Sequence, residues 1–189
     1  MKEFAGEEKN INIGDKVHYS VLSLIIADFI SKAEWIYGSA SFKNILKTIC
    51  ADGSFAMIMY RFMQASYKIH LIPVALLFNK ILSGFCHCVI GMGADFGPRF
   101  ILIHSIGVVI NSSVVGGSGI MIEHQVTIGA EKRKSPVLGN NIFIGAGAKI
   151  IGRVKIGDNV KIGANSVVLD DVPDNATVVG IPAKIKKMG

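Results

Sequence analysis

The chain has 189 residues, half of them hydrophobic and 18% charged, with a formal net charge of +6. That suits one domain or a small domain with an appendage, and it is too apolar for a disordered chain. Its 21 glycines lack a collagen period and point to many tight turns, while three cysteines (Cys50, Cys86 and Cys88) are odd in number and argue for a reducing compartment over a disulfide framework.

Glu3, Glu7 and Glu8 precede any apolar run, which speaks against a secretory signal. From Val17 to about Ile90 the spacing is helical. Val21, Leu22, Ile25, Ile26, Phe29 and Ile30 predict a first helix; Ser41 caps a second, with Phe42, Ile45, Leu46 and Ile49 on one face. Met57, Met59, Tyr60, Phe62 and Met63 mark a third, and a fourth follows Pro73 through Leu82. Methionine-rich faces of this kind are packing surfaces. Helices so few and short need another element to pack on. The stretch from Leu71 to Leu82, interrupted by Pro73, Asn79 and Lys80, is too short and polar to span a bilayer. A cytoplasmic protein is expected, with peripheral membrane contact through the apolar helices as an alternative. Cys86-His87-Cys88 lacks the spacing of a zinc site, so buried thiols and no metal are expected there.

Past Ile90 the period becomes six. Every sixth residue is large and apolar: Ile90, Phe96, Leu102, Val108, Val114, Ile120 and Val126, then, after a break at Lys132, Leu138, Ile144, Ile150, Ile156, Ile162 and Val168. Glycine follows many of these, and four positions on stand mostly small or apolar residues: Ala94, Ile106, Ser112, Ser118, Ala130, Ala148, Val160 and Ser166. Six matches neither a helix nor a simple strand; it fits a short strand and a turn, stacked as a solenoid. A triangular coil returns to an equivalent site about every third hexad. The division is therefore a helical region over 1–88 and a solenoid with a tail over 89–189.

The repeats resemble the hexapeptide acyltransferases. Within them, the stretch from Phe96 to Lys184 resembles the serine acetyltransferases and the related colanic acid (exopolysaccharide) acetyltransferases. The strings that carry this are Ile103 to Ile110 (IHSIGVVI), Val126 to Gly129 (VTIG), Ile144 to Ile150 (IGAGAKI), and Val172-Pro173 through Val178-Val179-Gly180-Ile181-Pro182-Ala183-Lys184. The resemblance implies an α+β chain: an N-terminal α-helical segment, then a left-handed parallel β-helix of hexapeptide repeats. It also implies acetyl-CoA as donor, a homotrimer with the donor groove between subunits, and no nucleic-acid partner.

His104 stands where the resemblance places the catalytic general base, since a neutral imidazole can take the proton of an acceptor hydroxyl. His124, twenty residues on, is a second catalytic candidate. Gly129 is a candidate backbone donor to the oxyanion. Ala146 and Ala164, each after a glycine and eighteen residues apart, form a smooth wall for a pantetheine arm, and Lys184 is a point charge for the CoA phosphates. The sequence also departs from serine acetyltransferases. Ile103 stands where an acidic residue precedes the histidine, Lys134-Ser135 replaces an Arg-His pair, and the carboxylate partner upstream maps near Val89. Asp95 and Glu123 are the candidates to orient His104. These departures favour a sugar hydroxyl of a surface polysaccharide as acceptor, with serine as the alternative. Lys132-Arg133-Lys134 reads as a loop over the active site. A non-catalytic trimeric scaffold is the alternative from another class, and a hydratase using His87, His104 and His124 has the wrong spacing for one metal.

Overall fold

The computed structural model describes residues 19–188. Glu3, Glu7, Glu8 and Val17 lie outside them. Four helices come first: α1 (Val21–Tyr37), α2 (Phe42–Ile49), α3 (Ser54–Lys68) and α4 (Ile72–Phe85). Ser20 and Ser41 cap α1 and α2, accepting from the Ser23 and Asn44 amides at 3.1 and 3.4 Å. Gly38, at φ 72°, ends α1 with its amide on the Glu34 carbonyl. Pro73 sits in the first turn of α4, where its missing N–H is harmless. Among the described residues no helix is long and apolar enough to cross a membrane. Cys86 and Cys88 are buried, and desolvation pushes both thiols up, Cys88 to about 12.

Short strands then wind a triangular parallel β-helix. Sheet 1 stacks β1 (Val89–Ile90), β4 (Val109–Ile110), β7 (Thr127–Gly129), β10 (Lys149–Ile151) and β13 (Val167–Val168). Sheet 2 stacks β2 (Asp95–Phe96), β5 (Val115–Gly116), β8 (Val137–Leu138) and β11 (Lys155–Ile156). Sheet 3 stacks β3 (Ile101–Leu102), β6 (Ile120–Ile122), β9 (Ile142–Ile144), β12 (Lys161–Ile162) and β14 (Ala176–Val179), and β15 (Lys184–Met188) closes it antiparallel on β14.

The constant coil of three hexads needs correction. In sheet 1, Ile90 pairs with Ile110, Ile110 with Ile128, Ile128 with Ile150, and Ile150 with Val168, so successive coils take 20, 18, 22 and 18 residues. Two residues are inserted between the inward Leu102 and Ile110, and four between Ile128 and Leu138. Together they add one hexad, which is why the apolar series resumes in phase at Leu138. Between the insertions the series marks Val108, Val114, Ile120 and Val126, which lie two residues before the inward positions and are also buried. Alternate residues of one strand share a face. The slip also explains why Ala94, Ala148, Val160 and Ser166 are buried while Ile106, Ser112 and Ala130 of the same sequence class are exposed.

Gly116 occupies an inward position that is otherwise large. The Phe96 ring from the coil below fills its space, and a Cβ at Gly116 would press within 2.6 Å of Phe96 Cε1. Phe96 packs in turn on Phe100 and Tyr60, with ring centroids 4.7 and 6.1 Å away.

The helices close the open end of this stack. A first coil has a row of backbone groups with no coil beneath them, and leaving them buried and unpaired is costly. Side chains from the helices pair them. Asn79 donates to the Ile90 carbonyl at 2.7 Å; Tyr60 Oη donates to the Ala94 carbonyl at 3.0 Å and accepts from the Phe96 amide at 3.1 Å. Arg61 donates to the Phe96 and Gly97 carbonyls at 2.8 and 2.7 Å, and Asp28 accepts from the Phe100 amide at 2.8 Å. Lys32 donates to the Leu102 carbonyl at 2.7 Å. Arg61 and Asp28 also pair with each other, at 2.7 and 2.9 Å.

Candidate active site

The chain passes from sheet 3 to sheet 1 through a corner where His87, Gly107, Gln125, Gly147 and Asn165 all take positive φ, between 50° and 72°. Backbone bonds tie successive levels, among them Gly107 N–H to His87 O at 2.8 Å, Gln125 N–H to Ile106 O at 2.9 Å and Gly147 N–H to His124 O at 2.9 Å. The strands entering this corner pair Leu102 with Ile122, Ile122 with Ile144, and Ile144 with Ile162. Two residues further on, the same register makes one column of His104, His124, Ala146 and Ala164. The two-residue insertion after Leu102 does not disturb it, because it falls beyond His104.

The structure brings the two candidate histidines together, stacking their rings edge to face with centroids 5.9 Å apart. Both imidazoles are about half exposed, His104 at 47% and His124 at 46%. His104 Nδ1 lies 3.1 Å from Asp52 Oδ2, a carboxylate from the loop between α2 and α3. A carboxylate only accepts, so Nδ1 carries a proton, and in the neutral imidazole Nε2 then holds the lone pair. Asp95 and Glu123 go elsewhere: Asp95 pairs with Lys68 and accepts from Gln64, and Glu123 lies 3.6 Å from His124 Nδ1. The hexad rhythm carries no information on Asp52, which lies in the helical region.

Above the histidines the column narrows to methyl groups. The Ala146 carbonyl accepts from Asn165 N–H at 2.8 Å, and a Cβ at Gly145 would meet Ala164 N at 2.7 Å, so the wall here is backbone and small side chains. Ile162 pairs with Val178, and the chain then reverses so that Lys184 stands beside Val179. Lys184 is exposed, 3.8 Å from Asp170. Gly129 lies at the far end of β7, five residues past His124, where its carbonyl accepts from Gly152 N–H at 3.0 Å. The Lys132-Arg133 turn also leaves from that far corner, closed by paired bonds of 2.9 Å between Glu131 and Lys134 and anchored by Ser135 Oγ on Asn111 Oδ1 at 3.1 Å. Within one chain, Gly129 and this loop are a strand's length from His104. A cleft of about 330 Å³ beneath α1, lined by Glu34, Trp35, Arg99 and Met121, is separate from the column and has no histidine in its lining.

Residues 135–170 match the family model for bacterial transferase hexapeptide (six repeats). A serine acetyltransferase of Synechococcus elongatus is 37% identical over 141 residues, covering 72% of this chain but only 58% of that protein. A Helicobacter pylori serine acetyltransferase is 37% identical over 136 residues, covering 70% of this chain and 80% of its own length. The chain belongs to the serine acetyltransferase family. A solved serine acetyltransferase in complex with CoA superposes with a TM-score of 0.80 at 28% identity, over 87% of this chain and 69% of that one. The helical region and the β-helix are thus both features of the serine acetyltransferase fold.

Proposed function

We propose that this protein transfers the acetyl group of acetyl-CoA to the hydroxyl of L-serine, with His104 as general base. The observation that carries this is the His104 imidazole: half exposed, its Nδ1 facing a carboxylate and its Nε2 without a partner among the described residues, in a chain 37% identical over 136 residues to a serine acetyltransferase. Nε2 takes the hydroxyl proton as the oxygen attacks the thioester carbon. Collapse of the tetrahedral adduct breaks the C–S bond, and the imidazolium returns the proton to the departing thiolate. His124, with its ring centroid 5.9 Å from that of His104, stands beside the base and is assigned to the acceptor side of the site.

The pantetheine arm runs up the column past Ala146 and Ala164. From His104, after β3, to Lys184 on β15 is five strand spacings, roughly 24 Å, so an extended arm brings the phosphates within reach of the long Lys184 side chain. In a homotrimer the groove lies between subunits, so Gly129 as oxyanion donor and the Lys132-Arg133 loop serve a neighbouring chain's His104. The relatives support serine over the sugar hydroxyl that Ile103, Lys134 and Ser135 favour. Thiol release from acetyl-CoA, measured with L-serine and with a panel of sugars, decides between them. Serine-dependent release is expected, and His104→Ala should cut it on the order of a hundredfold or more. Release with sugars alone would overturn the acceptor, and an unchanged rate in His104→Ala would overturn the base.

A further inference from the structure

We propose that Asp52 is the positioning residue of His104: the carboxylate that orients the base comes from the loop joining α2 to α3 rather than from the β-helix. This rests on the acetyl-transfer reading for its kinetic consequence but not for its geometry.

Three observations carry it. First, the strand position near which an upstream carboxylate partner maps is Val89, whose isopropyl group can neither accept a proton nor orient a ring. Second, Asp52 Oδ2 stands 3.1 Å from His104 Nδ1, whereas the two carboxylates that the sequence offers for this role, Asp95 and Glu123, pair with Lys68 and His124. Third, the loop is built to hold that position. Buried Lys32 donates both to the Asp52 carbonyl and, at 2.7 Å, to the carbonyl of Leu102, two residues before His104. One ammonium thus joins the loop to the strand that carries the base. Gly53 takes φ 74° and lies so close over Leu102 that a Cβ there would collide with its carbonyl oxygen. On the other side Ser54 Oγ donates to Thr48 O at 2.6 Å, closing the loop onto α2.

A carboxylate so placed acts through the imidazole. It selects the tautomer with hydrogen on Nδ1, turns Nε2 outward and stabilises the imidazolium formed as the acceptor loses its proton. Because the Asp52 side chain is 77% exposed, solvent screens the pair and its contribution is modest.

The competing role for Asp52 is to grip the ammonium of the acceptor. It predicts a different signature. With Asp52→Asn, positioning lowers kcat on the order of tenfold, less than the loss of a proton-transferring group itself, and leaves the acceptor KM within about twofold. Asp52→Glu recovers part of the loss. In a His104→Ala background, Asp52→Asn costs nothing more, because the group it acts through is gone. A raised KM at unchanged kcat, or a further loss in the His104→Ala background, would overturn the proposal.

A readout independent of turnover is the ¹⁵N spectrum of the imidazole, assigned by loss of its signals in His104→Ala. Wild type should show a protonated Nδ1, with Asp52→Asn and Asp52→Ala shifting the proton toward Nε2. An unchanged tautomer in both variants rejects the pairing. Wild-type protein with this tautomer shift but no acetyl transfer would reject the functional reading and leave the pairing standing.

Discussion

The β-helix and the helical region solve one physical problem in two ways. Inside the β-helix, each coil satisfies the backbone of the next, so the inward side chains can all be apolar: Ile110, Ile128, Ile150 and Ile162 are at most 1% exposed with no polar partner required. At its first coil that device fails, because no coil lies beneath. There the helical region substitutes long polar side chains for a missing strand, burying Asp28, Lys32, Arg61 and Gln64 and aiming each at the backbone between Phe96 and Leu102 or at a carboxylate that does so. A repeat is stabilised by sameness, and its end by specific, unrepeated chemistry.

The sharpest way to break this contrast is to remove one partner at the end of the stack. Asp28→Ala leaves a buried guanidinium without its carboxylate and the Phe100 amide without an acceptor, and should cost about 3–5 kcal/mol in urea unfolding. A loss below about 1 kcal/mol would mean that the helices are not part of the cooperative unit. Ile150→Ala, in the middle of the β-helix, removes only packing and should cost about 2–5 kcal/mol. Hydrogen exchange separates the two cases further: Ile150→Ala should loosen β7, β10 and β13 while leaving α1 and α3 protected, and Asp28→Ala should loosen the helices first.

A smaller effect tests the column itself. Ala146→Phe places a ring between His124 and Ala164 at a level where the wall is now a methyl group. Stability should change little, since Ala146 is only partly buried. The KM for acetyl-CoA should rise about tenfold, equivalent to about 1.4 kcal/mol, with kcat at saturation nearly kept. An unchanged KM would separate the small-residue column from donor binding.

The same contrast decides what the amino-acid sequence reveals. Repetition is visible without coordinates: the hexads, the Ser41 cap and the helical spacing of α1 to α4 all follow from local rules and all appear in the fold. The twenty residues between His104 and His124 already suggest a shared site. Insertions inside a repeat are harder, because the two and four extra residues restore the phase and conceal the slip that buries Val108 and exposes Ile106. Least legible are contacts made once across the chain. Nothing local marks Asp52 as a neighbour of His104, or Lys32 as a partner of Leu102, seventy residues away. A lysine among Phe29, Ile30 and Ala33 reads as an exposed position on an amphipathic helix; it is fully buried because a strand edge needs its protons.

Lys32 also supplies the finest test of that difference. Burial lowers its ammonium from an ordinary 10.5 to about 8, with the Asp52 charge opposing the shift. Below pH 8 the lysine is protonated in folded and unfolded chains alike, so its contribution is constant. Above pH 8 the folded protein sheds this proton while the unfolded chain keeps it up to about 10.5; the unfolded state binds more protons, and stability from this group rises with pH. A neutral amine still has two hydrogens, enough for the Asp52 and Leu102 carbonyls, so the staple survives deprotonation. The buried Cys88 thiol works in the opposite direction, since its unfolded form ionises near 9 and its folded form near 12, so the clean window is pH 8 to 9. Over that interval the stability of wild type relative to Lys32→Met should grow by about 1 kcal/mol. Parallel pH curves for the two proteins would show that this ammonium is not desolvated, and the end of the β-helix would then be held by solvated contacts rather than by a buried charge.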